Sequence, residues 1–124
     1  MRKHLSLIAI LVLFALVAIC GPRAAQVAPP TDGPAVLFFR SDSCVYCEEV
    51  KLVLDEVCHK YRRQLEVVTV DMEQEESKGL ARQYGVVGIP TVLLLDREGH
   101  QVNVLRGTLP KSVVEQTVRD LVDR

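Results

Sequence analysis

Apolar and polar positions change their period several times along the chain, and each change marks an element. Leu5–Ile19 is apolar throughout except for Ser6, so it has no polar face with which a core helix would meet water. Ala35–Phe39 is a short apolar block between Pro34 and the polar Arg40–Ser43, the pattern of a buried strand. Val50, Val53, Leu54, Val57, Cys58 and Tyr61 then recur at helical spacing and predict an amphipathic helix from near Cys44 to near Arg63. Ser41, Asp42 or Ser43 is its expected cap. The β-branched stretch Leu65–Val70 predicts a second strand, and Glu73–Tyr84 a shorter helix with acids at its start and Gly85 past its end. Thr91–Leu95 reads as a third strand, Asp96–Gly99 as a hairpin turn and Gln101–Leu105 as the returning fourth strand. Gly107–Pro110 opens a last helix whose apolar stripe is Val113, Val114, Val118, Leu121 and Val122. The order β-α-β-α-β-β-α predicts an α/β fold with a four-stranded mixed sheet flanked by three helices. Strands separated by helices are expected to pair in parallel, and the closing hairpin adds an antiparallel strand.

The chain divides into three parts. Arg2, Lys3 and His4 stand before the apolar run, so residues 1–21 read as a signal peptide or an N-terminal membrane anchor. The basic flank holds the N-terminus inside and sends the rest across, predicting an exported, extracytoplasmic protein. Three endings stay open: lipidation at Cys20 after Val17-Ala18-Ile19, cleavage after Cys20, or retention through residues 5–20 as an anchor. Residues 22–34 carry four prolines and a glycine without apolar periodicity and read as an extended linker. Residues 35–124 are the folded domain, with 12 basic and 15 acidic side chains. That balance offers no electrostatic basis for binding nucleic acid.

Cys44-Val-Tyr-Cys47 falls where the first strand meets the first helix. Two cysteines at this spacing can close a small disulfide ring, and a helix N-terminus favours the thiolate of the first. Cys44 is then the nucleophile that attacks a substrate disulfide, and Cys47 the thiol that resolves the mixed disulfide. A zinc site would need Cys58 and His59, which lie about 16 Å farther along the same predicted helix and cannot converge on the same ion. Cys58 shares the apolar stripe and reads as a buried, inert thiol. Gly85-Val-Val-Gly88 precedes a strand and lacks the spacing of a nucleotide loop. His4, His59 and His100 are assigned no catalytic role.

With these motifs in order, residues 35–124 resemble the thioredoxin-like superfamily. The resemblance rests on the strand entering Cys44-Val-Tyr-Cys47, on Val68-Thr-Val-Asp71, and on Ala81-Arg-Gln-Tyr-Gly-Val-Val-Gly-Ile-Pro-Thr91. The hairpin Leu95–Gly99 and Gly107 before the last helix extend it. It implies a cis Pro90 packed against the cysteine pair, and an Ile89 whose backbone receives an extended substrate peptide. Ile89, Pro90 and Tyr46 are thus the expected substrate contacts. Ser43 stands where the family usually has tryptophan, and Val45-Tyr46 where thioredoxin has Gly-Pro. The family's buried aspartate and its lysine partner align with Phe38 and Val67, and the N-terminal strand–helix unit gives way to the linker.

The expected function is thiol–disulfide exchange outside the cytoplasm, with the reducing direction favoured over the oxidising one. No cofactor and no metal are implied. The expected partners are protein disulfide substrates, a redox protein that supplies or accepts electrons, and the membrane if residues 5–20 are retained. The default state is a monomer. The alternative is a redox-inert member that holds client peptides beside Pro90.

Overall fold

The computed structural model describes residues 33–124. The apolar run, Cys20 and residues 22–32 of the linker lie outside them. Four strands, β1 (Ala35–Arg40), β2 (Glu66–Asp71), β3 (Thr91–Leu95) and β4 (Gln101–Arg106), form one sheet in the order β2-β1-β3-β4. Three helices, α1 (Cys47–His59), α2 (Glu75–Gln83) and α3 (Lys111–Val122), cover it. This is the mixed α/β architecture that the element order predicts.

The central strands β1 and β3 are buried on both faces, which is why they read as continuous apolar runs. Their side chains alternate between two cores. Val36, Phe38, Val92 and Leu94 pack with Val50, Leu54 and Val57 of α1 and Val114, Val118 and Leu121 of α3. Ala35, Leu37, Phe39, Leu93 and Leu95 pack with Leu80 and Ala81 of α2. β2 is an edge strand and only Val70 in it is buried, so its β-branched residues serve a half-exposed ribbon.

Strand direction departs from expectation at one ladder. β1 and β2 are parallel, but β3 runs antiparallel to β1 although two helices intervene. The segment after β2 returns the chain to the end of the sheet where β1 and β2 stop: Arg40 is opposite Asp71, and Thr91 is opposite Phe39. A crossover helix gives parallel pairing only when it carries the chain back to the opposite end. Here α2 and the loop after it do not.

Element ends also differ. The helix expected from Cys44 to Arg63 occupies Cys47–His59, with turns on both sides. None of Ser41, Asp42 and Ser43 caps it. The N-cap is Tyr46, without a side-chain hydrogen bond. Asp42 is engaged by Arg40 at 2.7 Å, and the Ser41 and Ser43 hydroxyls meet each other at 3.1 Å. Similarly, Asp71 accepts the Glu73 N–H and delays α2 to Glu75.

Candidate active site

Two consecutive turns carry β1 into α1. The Cys44 N–H donates to the Ser41 carbonyl, and the Cys47 N–H to the Cys44 carbonyl, each at 3.2 Å. Cys44 therefore lies just ahead of the helix, and Cys47 is its first residue. The two are joined as a disulfide with a Cα–Cα distance of 5.3 Å, which places both sulfurs at the N-terminal end of α1. The sulfurs differ in environment. Cys44 is half-buried, whereas Cys47 is 1% exposed and belongs to the core shared by α1, α3 and the sheet.

Pro90 is buried, is preceded by a cis peptide bond, and directly precedes Thr91 of β3. Since Thr91 pairs with Phe39, Ile89-Pro90 sits at the sheet end from which the cysteine turn departs. Two contacts hold the segment. The Gly107 N–H donates to the Pro90 carbonyl at 3.0 Å, and the buried Thr91 hydroxyl donates to the Gly88 carbonyl at 2.7 Å. Both ladders that use β3 begin at Thr91, so Ile89 stands outside them.

Apolar side chains are exposed on the two segments that meet at this end, the cysteine turn and the loop before β3. Val45, Tyr46, Val87 and Ile89 are all exposed, Val87 by 90% and Val45 by 84%. Val87 escaped sequence reasoning, because a valine between Gly85 and Gly88 carries no signal of exposure until the loop is seen. Gly107 was legible as a helix-entry glycine but not as the donor that fixes Pro90. Its φ of 72° is open to glycine at little cost.

Charged groups of both signs lie near this end, and Arg106 closes β4 opposite Thr91. Glu48 and Glu49 occupy the first turn of α1, and the Asp42 hydrogen bond holds the Arg40 guanidinium above its ordinary pKa. No carboxylate is among the buried residues described; the buried polar ones are Ser41 and Thr91. At the other end of α1, Cys58 is free and buried, and desolvation pushes its thiol up to about 11. A cleft of about 450 Å³ there, lined by Leu54, Cys58, His59 and Leu65 among others, is remote from the disulfide.

Comparison with known proteins accounts for this arrangement. The thioredoxin-like domain model matches residues 22–121, and the chain belongs to the thioredoxin-like family. It is 32% identical over 88 residues to thioredoxin 1 of Nostoc sp., covering 71% of this chain and 79% of that protein. Thioredoxin 1 of Synechococcus elongatus is also 32% identical, over 85 residues, covering 68% and 77% of the two chains. The fold matches the solution structure of an uncharacterized thioredoxin-like protein from Clostridium perfringens, with a TM-score of 0.67 and 23% identity. That match covers 84% of this chain and 90% of the other. Family and cysteine pair together make thiol–disulfide redox chemistry the activity class of the protein.

Proposed function

We propose that the protein reduces disulfides of other proteins outside the cytoplasm, acting as a monomer through the Cys44–Cys47 dithiol. The observation that carries this reading is the asymmetry of the pair: a half-buried Cys44 bridged to a buried Cys47. Cys44 is the sulfur a substrate can reach. Its thiolate attacks one sulfur of the substrate disulfide, forming the Cys44–substrate bond and releasing a substrate thiolate. Cys47 then gives up its proton and attacks the Cys44 Sγ. The Cys44–Cys47 bond forms, the second substrate thiolate departs, and two electrons have passed to the substrate. A dithiol protein must restore the reduced pair; no bound cofactor enters.

The Ile89 backbone, which neither β3 ladder uses, receives an extended substrate segment in this reading, with Pro90 and the exposed Tyr46 as further contacts. Support for the reducing direction is electrostatic. A dithiol becomes a strong oxidant when its reduced, thiolate form is stabilised. Here Glu48 and Glu49 oppose the helix dipole that would stabilise a Cys44 thiolate. Support for export is the basic-then-apolar N-terminus.

Trapping tests the reading. Cys47→Ser is expected to accumulate a covalent complex with a disulfide substrate, visible on non-reducing gels and dissolved by dithiothreitol. Cys44→Ser is expected to lose both the complex and disulfide-reductase activity. Client binding that survives replacement of both cysteines, with no covalent complex in Cys47→Ser, would establish the redox-inert holder instead.

A further inference from the structure

Resting on that reading, we propose that Ser41 and Ser43 are positioning residues: their paired hydroxyls keep the cysteine turn in its ring-closing shape after reduction, and so favour release of clients by Cys47. The buried polar side chains among the described residues are Ser41 and Thr91, and both stand at the sheet end that carries the cysteines. A hydroxyl in apolar surroundings is costly unless it is hydrogen-bonded. Thr91 donates to the Gly88 carbonyl at 2.7 Å, whereas Ser41, 5% exposed, meets the Ser43 hydroxyl at 3.1 Å. Ser41 thereby holds the turn twice. Its carbonyl accepts the Cys44 N–H at 3.2 Å, and its side chain reaches the residue just before Cys44. The Cys47 N–H then donates to the Cys44 carbonyl, also at 3.2 Å, so one run of turns joins Ser41 to both cysteines. The neighbouring Arg40–Asp42 pair is a weaker hold, because the Asp42 side chain is 77% exposed to screening water.

In the disulfide the covalent ring itself fixes the turn, with the two Cα atoms 5.3 Å apart. Once the bond is opened, the turn keeps that shape through its hydrogen bonds. Resolution is intramolecular: the Cys47 thiolate attacks the Cys44 Sγ and the Cys44–Cys47 bond forms. The Cys44–client bond breaks, and the client sulfur leaves as a thiolate. Such a step gains when its partners are already in place, since less freedom is lost on closing. A turn held by Ser41 and Ser43 therefore raises the effective concentration of Cys47 at Cys44, whereas a loose turn lets the client stay bound. The same hold makes the reduced pair a better reductant, because ring closure is also how it gives up its electrons. Ser43 stands where the family usually has tryptophan, so the hydroxyl pair belongs to this chain and not to the family's motif.

Equilibrium with glutathione reads the hold. The reduced full-length chain and oxidised glutathione exchange to the Cys44–Cys47 disulfide and two glutathione thiols, and the constant measures the effective concentration of the pair. Ser41→Ala and Ser43→Ala are each expected to lower it about threefold, part of the worth of one hydrogen bond, which moves the potential up by roughly 14 mV. The double variant should be no worse than either single one, since both remove the same bond. Ser43→Thr, which keeps the hydroxyl, should stay at the wild-type value. The acid-quenched covalent complex with a disulfide substrate should last about threefold longer in the alanine variants. The Cys44 pKa, read from the pH dependence of alkylation in Cys47→Ser, should be the same with and without Ser43→Ala. Single variants at the wild-type equilibrium, or losses that add in the double variant, would overturn the proposal. So would a shifted Cys44 pKa, which would make the hydroxyl a direct partner of the thiolate. If Ser41→Ala fails to fold, Ser43→Ala, at an exposed position, decides. A wild-type chain that forms no Cys44–Cys47 disulfide in any buffer would overturn the functional reading itself, and this inference with it.

Discussion

Cys44 and Cys47 are three positions apart yet sit in different media, one at the mouth of the site and one in the core. Their pairing was legible in the sequence, because two cysteines at CxxC spacing where a strand meets a helix can close a small disulfide ring. The exposed apolar side chains were less so. Val87 is 90% exposed only because the loop from Gly85 to Gly88 turns it outward. Val87→Arg should therefore lower kcat/KM toward substrates with apolar residues beside their disulfide, without altering the potential of the pair or the thermal midpoint. Away from the site, Asp96 accepts the backbone N–H groups of His100 and Glu98, and these bonds hold its carboxyl below the usual carboxylate range. A depressed pKa gives stability that is present above the unfolded value, about 3.9, and is lost as pH falls through the folded one. Protection of the Glu98 and His100 amides, measured against their intrinsic exchange rates, should fall in that acid window, and Asp96→Asn should flatten the dependence.

At the scale of elements, patterns set by burial were readable and those set by competing hydrogen bonds were not. The α1 stripe follows from helical periodicity, whereas the start of α1 was misplaced because Arg40 captures Asp42 and the two serines pair together. The direction of β3 depends on where the segment after β2 delivers the chain, and residue pattern does not encode that. Leu54 is fully buried between α1 and the sheet. Leu54→Ala should cost about 2–5 kcal/mol in denaturant unfolding. Gly85 ends α2 with a φ of 65°, so Gly85→Ala should cost about 1–2 kcal/mol although open space surrounds a Cβ there.

For the whole molecule, one end of the sheet gathers the chemistry. The cysteine turn after β1, the loop before β3 and the turn after β4 converge there, with apolar side chains exposed around them. That convergence is a property of the strand order β2-β1-β3-β4, which places β1 and β3 side by side at the centre. The reducing direction depends on a thiolate left without strong stabilisation, so the redox equilibrium of the Cys44–Cys47 pair in the full-length chain, followed by thiol alkylation in glutathione buffers, tests it most directly. The account predicts a disulfide that forms reversibly with a potential near the thioredoxin value of about −270 mV. A potential near the about −120 mV of a strong oxidant, or no disulfide in any buffer, would contradict it.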